Sequence, residues 1–379
     1  MKTEILNRRF LFFLLRFLIV AAIVLGLVVG VNYFIDASHV ITSRSQEQMA
    51  KLVLEGSTVA VPDNYNERIF QVAVLARMPS IPETVVVGAS RGMFIGSEIT
   101  GFSNLYNSCV SGVCLEDYYA LLGLYDQKFS GYPSRVVLEV SPWIFYSGNP
   151  ETRWTEIYAY RTAAEKLYTR LNHKKPEIRA REIKPGESQE QPFYSRENPY
   201  FSLPYFQYNL EMLRRKGTGV FAENTARVST DPSEAAEYPD GSIRYPVSQE
   251  NESEERLAKV RASSGAVTYE HVDRMTEIDP ERKEAFESLV RDLLDHGTEV
   301  IFYLQPFSET QCRYSFDENL NPVFGVVESY LRELAEAGGI KVVGGYDARD
   351  FGLSDESFMD SIHPDRQATK AVWSAGFAE

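Results

Sequence analysis

The 379-residue sequence predicts an α/β fold, a parallel sheet covered by helices on both faces, behind an N-terminal transmembrane helix. Three observations predict it. Short β-branched runs alternate with amphipathic helical stretches, the pattern of βαβ units. A long uncharged apolar run stands near the N-terminus. The stretch from 147 to 275 breaks the alternation and reads as an insertion.

The apolar run comes first. From Phe17 to Ile35 there is no charge, and only Asn32 and Tyr33 are markedly polar. Its nineteen residues at about 1.5 Å each span roughly 28 Å, close to a bilayer's hydrocarbon thickness. Phe10 to Leu15 lengthen the run if Arg16 snorkels to the headgroups. Lys2, Arg8, Arg9 and Arg16 precede or enter the span, and Asp36 follows it. The positive-inside rule then expects a cytoplasmic N-terminus and an extracytoplasmic body, periplasmic or at the cell surface. A cleaved signal peptide would have a shorter apolar region and a small-x-small cleavage site. Around Ala37 and Ser38 the small residue's place falls to Ile35 or Asp36. A buried core helix rarely has four basic residues at one end and no polar face.

After the anchor (1–36), residues 37–80 read as a polar, partly helical stalk. The α/β domain is expected over 81–146 and 276–379. Its strands are Thr84–Gly88, Leu105–Val110, Arg135–Val140, Thr298–Leu304 and Ile340–Val343, each a short run rich in β-branched or aromatic residues. Helical spacing marks Leu115–Lys128, Pro280–Asp295 and Val323–Ala337. Pro364–Phe377 reads as a last helix with proline at its first position. The expected sheet is flavodoxin-like, in order 2-1-3-4-5, with ligands at the carboxyl ends of its strands. The insertion, 147–275, is a cap of mostly helical and irregular structure. It holds one helix around Trp154–Leu171 and an aromatic stretch: Phe193, Tyr194, Tyr200, Phe201, Tyr205, Phe206 and Tyr208. That stretch suits stacking on sugars, but packing within a small subdomain is the commoner outcome for such residues.

Composition excludes some functions. Apolar content is an ordinary 44%. Net charge is −14, and the first 35 residues hold four bases and one acid, so the body is more acidic still. An acidic body argues against a nucleic-acid partner. Cys109, Cys114 and Cys312 lack metal-ligand spacing, and whether two of them pair in a disulfide is left open. His39, His173, His271 and His296 show no partner spacing, and no HxH, HExxH or CxxC occurs, so neither a metal nor a cofactor is expected.

Three short blocks carry chemistry. Gly88-Ala89-Ser90-Arg91 sets a serine directly after the first strand, where a helix should begin. There its hydroxyl can serve as a nucleophile and its own N–H as an oxyanion donor. The plainer reading is a helix N-cap. Asp360-Ser361-Ile362-His363-Pro364 offers a base and, three residues earlier, a carboxylate to orient it. Its plainer reading is a capping aspartate beside a solvated histidine. Asn107 to Gly112 ends the second strand on a glycine whose N–H can face the first strand's end, or which simply makes a turn.

Taken in order, these blocks resemble the SGNH (GDSL-like) hydrolase superfamily. Gly88-Ala89-Ser90 looks like its nucleophile block, Gly112 like its glycine block, and Asp360-x-x-His363 like its Asp-His block. The likeness covers 84–145 and 297–379. It departs at the Gly-x-Asn-Asp block, whose asparagine completes that superfamily's oxyanion hole. Here the third strand runs into Ser141-Pro142-Trp143, and Asn149 comes too late to match. The departure is similar to a membrane-anchored branch that serves bacterial cell-surface polysaccharides, including the alginate O-acetylation proteins and the teichoic-acid D-alanylation protein.

The resemblance implies a serine-dependent acyl, above all acetyl, transferase or esterase acting on an extracytoplasmic polysaccharide. Ser90, His363 and Asp360 would be catalytic, with Ser90 and Gly112 forming the oxyanion hole. Arg91, Asn107 and Trp143 are candidates for substrate contact. A multi-pass membrane acyltransferase is the partner such proteins imply. The alternative is a catalytically silent domain that binds glycan or scaffolds a synthesis complex, motivated by the missing asparagine.

Overall fold

The computed structural model describes residues 2–37, 44–62, 65–177, 199–222, 226–251, 253–265 and 273–377. The described chain divides into two compact units. One comprises Met1–Gln48, Pro62–Asn64 and Ile183–Ala226; the other comprises Met49–Val61, Tyr65–Glu182 and Arg227–Glu379.

In the first unit, helix α1 (Lys2–Ile35) contains the 26-residue stretch Phe10–Ile35, long and apolar enough to cross a membrane. Helix α2 (Arg44–Leu54) begins in this unit. Helix α6 (Leu203–Lys216) also belongs here and packs against the last turns of α1.

The second unit is the α/β body. Its main sheet, among the described residues, has five strands: β1 (Thr84–Val87), β2 (Leu105–Asn107), β3 (Arg135–Glu139), β4 (Glu299–Leu304) and β5 (Lys341–Gly344). Neighbours run β2-β1-β3-β4-β5, and every pair is parallel. Val85 lies opposite Val136, and Val137 opposite Ile301. Parallel strands are buried on both faces, which explains runs such as TVVV and RVVLE without polar alternation. One face packs Val86, Val137, Ile301 and Val343 against Val372 and Trp373 of helix α10 (Arg366–Ala375). The other meets helices α4 (Leu115–Phe129), α8 (Pro280–Asp295) and α9 (Val323–Gly338), as in the Phe286–Phe302 ring contact at 5.7 Å.

Three expectations need correction. Residues 37–80 are not simply a stalk. Helix α3 (Glu67–Arg77) buries Phe70 and Val74 and packs on α4, and Val59–Ala60 pairs antiparallel with Ala236–Glu237, which pairs with Ile243–Arg244. Nor is 147–275 one cap. Helix α5 (Tyr158–Asn172) lies along α4, and helix α7 (Glu254–Ser263) also belongs to the body, whereas the described residues 199–222 group with α1. The aromatic stretch divides as well: Tyr205 is buried and Tyr208 packs on the core that contains Ile35 of α1, while Phe193 and Tyr194 lie outside the described residues. Finally, Pro364 does not open the last helix. Asp365 caps α10 by accepting from Ala368 N–H at 2.9 Å, and Pro364 bridges to Phe358.

The three cysteines are buried free thiols. His173 ends α5 in a left-handed conformation, and His296 sits edge-on to Tyr132 with Nδ1 against the Asp292 carbonyl. His39 and His271 lie outside the described residues.

Candidate active site

The site begins at the carboxyl end of β1. The chain leaves Val87, passes Gly88 and Ala89, and turns into a single 3₁₀ turn, Ser90–Gly92. Ala89, not Ser90, is the residue that caps this turn, and no side chain supplies a cap there. The serine hydroxyl is therefore not spent on local backbone. Its Oγ lies 2.9 Å from His363 Nε2.

His363 comes from the loop before α10. That loop is closed by the Met359 N–H, which donates to the His363 carbonyl at 2.8 Å. Within it Asp360 collects the backbone N–H groups of Ile362 (3.0 Å) and His363 (2.9 Å) on Oδ1. Both carboxylate oxygens also face His363 Nδ1, at 2.9 and 3.0 Å. Burial alone would raise this carboxyl. The His363 ring and the two backbone donors outweigh it and hold Asp360 down at about 2. An ionised Asp360 keeps the proton on Nδ1, so Nε2 presents a lone pair to the serine hydroxyl. Ser90 and an Asp-His pair much later in the sequence thus form one hydrogen-bonded chain, Ser90–His363–Asp360.

Gly112 lies beyond β2. Ser108 N–H donates to the Val86 carbonyl and Val110 N–H to the Gly88 carbonyl, so this tail runs alongside the end of β1. Gly112 has φ +57°, a conformation that favours glycine. Arg68 Nη1 and Arg153 Nη2 donate to the Ser111 carbonyl at 3.3 and 3.0 Å, and Arg68 Nη2 to the Gly112 carbonyl at 3.2 Å. In a planar trans peptide the Gly112 N–H points opposite to the Ser111 carbonyl, away from both cations. Arg68 is itself fixed by Asp117, through contacts of 2.7 and 2.8 Å, with Tyr160 donating to the same carboxylate.

The other sequence candidates have structural duties. Arg91 is buried and ties three loops together. Its Nε donates to the Ile362 carbonyl at 3.1 Å, and its Nη2 donates to the Gln305 and Pro306 carbonyls. Its guanidinium lies 4.1 Å from the centre of the Phe307 ring and 5.6 Å from that of Trp143. Trp143 is 1% exposed, so it packs Arg91 and offers no face to a ligand. Asn107 is also buried. Its amide donates to the Gly92 and Ile95 carbonyls and accepts from Cys109 N–H. These bonds commit it to shaping the loop after Ser90, which corrects its assignment to substrate contact. Asn149 is similarly occupied, donating to the Trp143 carbonyl and accepting from Glu151 N–H.

Besides Arg68, sequence reasoning missed Glu139, at the end of β3. It is fully buried. One carboxylate oxygen accepts from Ala89 N–H and the other from the Ser141 hydroxyl, both at 2.7 Å. Burial pushes this carboxyl up, against the pull of Arg91, Ser141 and Ala89. Burial likewise pulls Arg91 down, with Glu139 opposing. A carboxylate therefore anchors the peptide just before the serine. The signal was present in the sequence as an acid directly after the apolar run Val136-Val137-Leu138.

No group of described residues could hold a metal ion. In chemical terms the arrangement offers a hydroxyl within reach of an oriented base, the requirement for a serine nucleophile. No known protein-family model matches the sequence, and a search of curated proteins gave no significant match.

Proposed function

We propose that this chain is a membrane-tethered serine acyltransferase or esterase of the SGNH kind, acting on an extracytoplasmic cell-surface polysaccharide. The observation that carries the proposal is the Ser90–His363–Asp360 chain at the carboxyl end of the first strand. The order 2-1-3-4-5 of its parallel strands, the flavodoxin-like arrangement, supports it too.

The chemistry follows from the contacts. His363 Nε2 takes the Ser90 proton as Oγ attacks an acyl carbonyl carbon. The N–H groups of Ser90 and Gly112 hold the oxyanion. The imidazolium then protonates the leaving oxygen, which departs and leaves the acyl group on Ser90. A sugar hydroxyl or water next gives its proton to His363 and attacks the acyl-enzyme, and Ser90 recovers its proton. Ionised Asp360 stabilises the imidazolium in both halves. With α1 as a single span and the body outside, cytosolic acyl-coenzyme A is out of reach. The acyl group must then arrive through the membrane, from a multi-pass acyltransferase partner, unless the reaction is hydrolysis. Replacing Ser90 with alanine should abolish both polysaccharide O-acylation in cells and esterase turnover of the purified chain. If both persisted in Ser90→Ala, the proposal would fail.

A second reading is a catalytically silent glycan-binding or scaffold domain. What favours it is the stretch after β3, where Ser141-Pro142-Trp143 is buried and no asparagine stands before Asn149. Losing one such donor typically costs about a hundredfold to a thousandfold. Rapid labelling of Ser90 by a fluorophosphonate would exclude this reading.

A further inference from the structure

Helix α6 has two unlike faces. One is spent on α1. Tyr205 donates to Asp36 Oδ1, and Asn209 accepts from Ala37 N–H at 2.8 Å and donates to Asn32 Oδ1 at 3.2 Å. Just ahead of the helix, the carbonyls of Pro199, Tyr200 and Ser202 accept from Asn32 Nδ2 at 2.8, 3.3 and 3.0 Å. Asn32 is fully buried as a result.

The other side is open to the surroundings and presents an apolar strip beside the exposed Gln207 and Glu211, with Phe206 half-buried. Leu203, Phe206 and Leu210 recur at spacings of three and four and so share one side of the helix. Leu203 is 54% exposed, Leu210 42%, and Phe201 just before them 56%. The helix then closes on Arg214, Arg215 and Lys216, all exposed.

Position decides what covers this face. Asn32 lies about one turn before the end of the apolar stretch of α1, roughly 5 Å short of Ile35. A side-chain amide at that depth in hydrocarbon needs protein partners, and the α6 segment supplies them. The contacts on Asn32, Asp36 and Ala37 therefore set α6 at the boundary between acyl chains and headgroups. Exposed Tyr33 and Phe34 of α1 are the aromatic residues usual at that level.

We propose that α6 is a membrane-interfacial helix. It seats Phe201, Leu203, Phe206 and Leu210 in the leaflet at the C-terminal end of α1 and sets Arg214–Lys216 against lipid phosphates. The inference rests on α1 being a membrane span.

The test is nitroxide accessibility in the full-length chain reconstituted into vesicles of phosphatidylcholine and phosphatidylglycerol. Labels are placed singly at Leu203→Cys and Leu210→Cys, with Ile23→Cys on α1 and Tyr158→Cys on the body as references. Ile23 and Tyr158 are 66% and 75% exposed, and the native thiols are buried from the reagent. At 203 and 210, collision with oxygen should exceed collision with a water-soluble nickel chelate, as at position 23 and opposite to position 158. If 203 and 210 behave like 158 while 23 is lipid-exposed, the interfacial helix is wrong and the anchor stands. Labels at 203 and 210 shielded from both reagents would mean a protein covers this face, which also overturns the proposal. A label at 23 that behaves like 158 would remove the anchor and this inference with it.

Discussion

Substituting Asp360 with asparagine should disable the site while leaving the fold intact, and the geometry says why. Asp360 Oδ1 is pinned by the N–H groups of Ile362 and His363, at 3.0 and 2.9 Å. An asparagine will keep its carbonyl oxygen there, because the alternative sets an amide N–H₂ against two backbone donors. Its Nδ2 then occupies the place of Oδ2, 3.0 Å from His363 Nδ1. Nδ1 then faces the amide oxygen at 2.9 Å as well as this donor, and a neutral side chain no longer fixes the proton on Nδ1, so the tautomer with the proton on Nε2 gains population. In that tautomer Nε2 cannot take the Ser90 proton across the 2.9 Å contact. A wrong tautomer in a serine triad costs about four orders of magnitude in turnover, or roughly 5 kcal/mol of transition-state stabilisation. The assay is the rate of fluorophosphonate labelling at Ser90 beside hydrolysis of an activated acetyl ester, with circular dichroism confirming the fold. Labelling of Asp360→Asn within tenfold of the native rate would refute the assigned role of Asp360.

Other expectations follow from the same contacts. Asp360 is held at about 2, below its ordinary 3.8. Its contribution to stability, about 2 kcal/mol, is therefore complete above pH 4 and lost as pH falls towards 2. Unfolding free energy measured across that window should fall more steeply for the native chain than for Asp360→Asn, and equal slopes would contradict the shift. Arg68→Met strands Asp117 as a buried carboxylate, with an expected loss of about 3–5 kcal/mol in denaturant unfolding. A loss under about 1 kcal/mol would show the pair to be dispensable. Gly88→Ala places a Cβ 2.5 Å from Glu139 Cβ and 2.8 Å from the Glu139 carbonyl oxygen. Since that neighbour is partly backbone, we expect about 1–3 kcal/mol of destabilisation and slower labelling at Ser90. Unchanged labelling would mean the tight Gly88–Glu139 contact does not hold the nucleophile loop.

The five core strands were legible because buried parallel strands are nearly uniform in chemistry: TVVV and RVVLE admit few other readings. The serine, aspartate and histidine were legible because loops at strand ends leave chemistry-bearing residues without a packing reason. Arg91 and Glu139 were harder. A charge in a core segment signals a partner but does not name it, and theirs come from loops far away in sequence. Arg68 was invisible as a site residue for the same reason. Its helix looks like a solvated stalk until Asp117 and the Ser111 and Gly112 carbonyls are brought to it. Asn107 and Trp143 were misassigned because a polar or aromatic residue near a strand end can face either a ligand or the loop's own backbone, and only burial distinguishes the two.

The central claim is that Ser90 is a nucleophile activated by His363. The most direct measurement is intact-mass and peptide-mass analysis of the full-length chain in detergent after exposure to a fluorophosphonate. We predict one adduct per chain, located on Ser90, absent in Ser90→Ala and strongly slowed in His363→Ala. A chain that forms no adduct, or forms one on Ser90 equally fast without His363, would contradict the account.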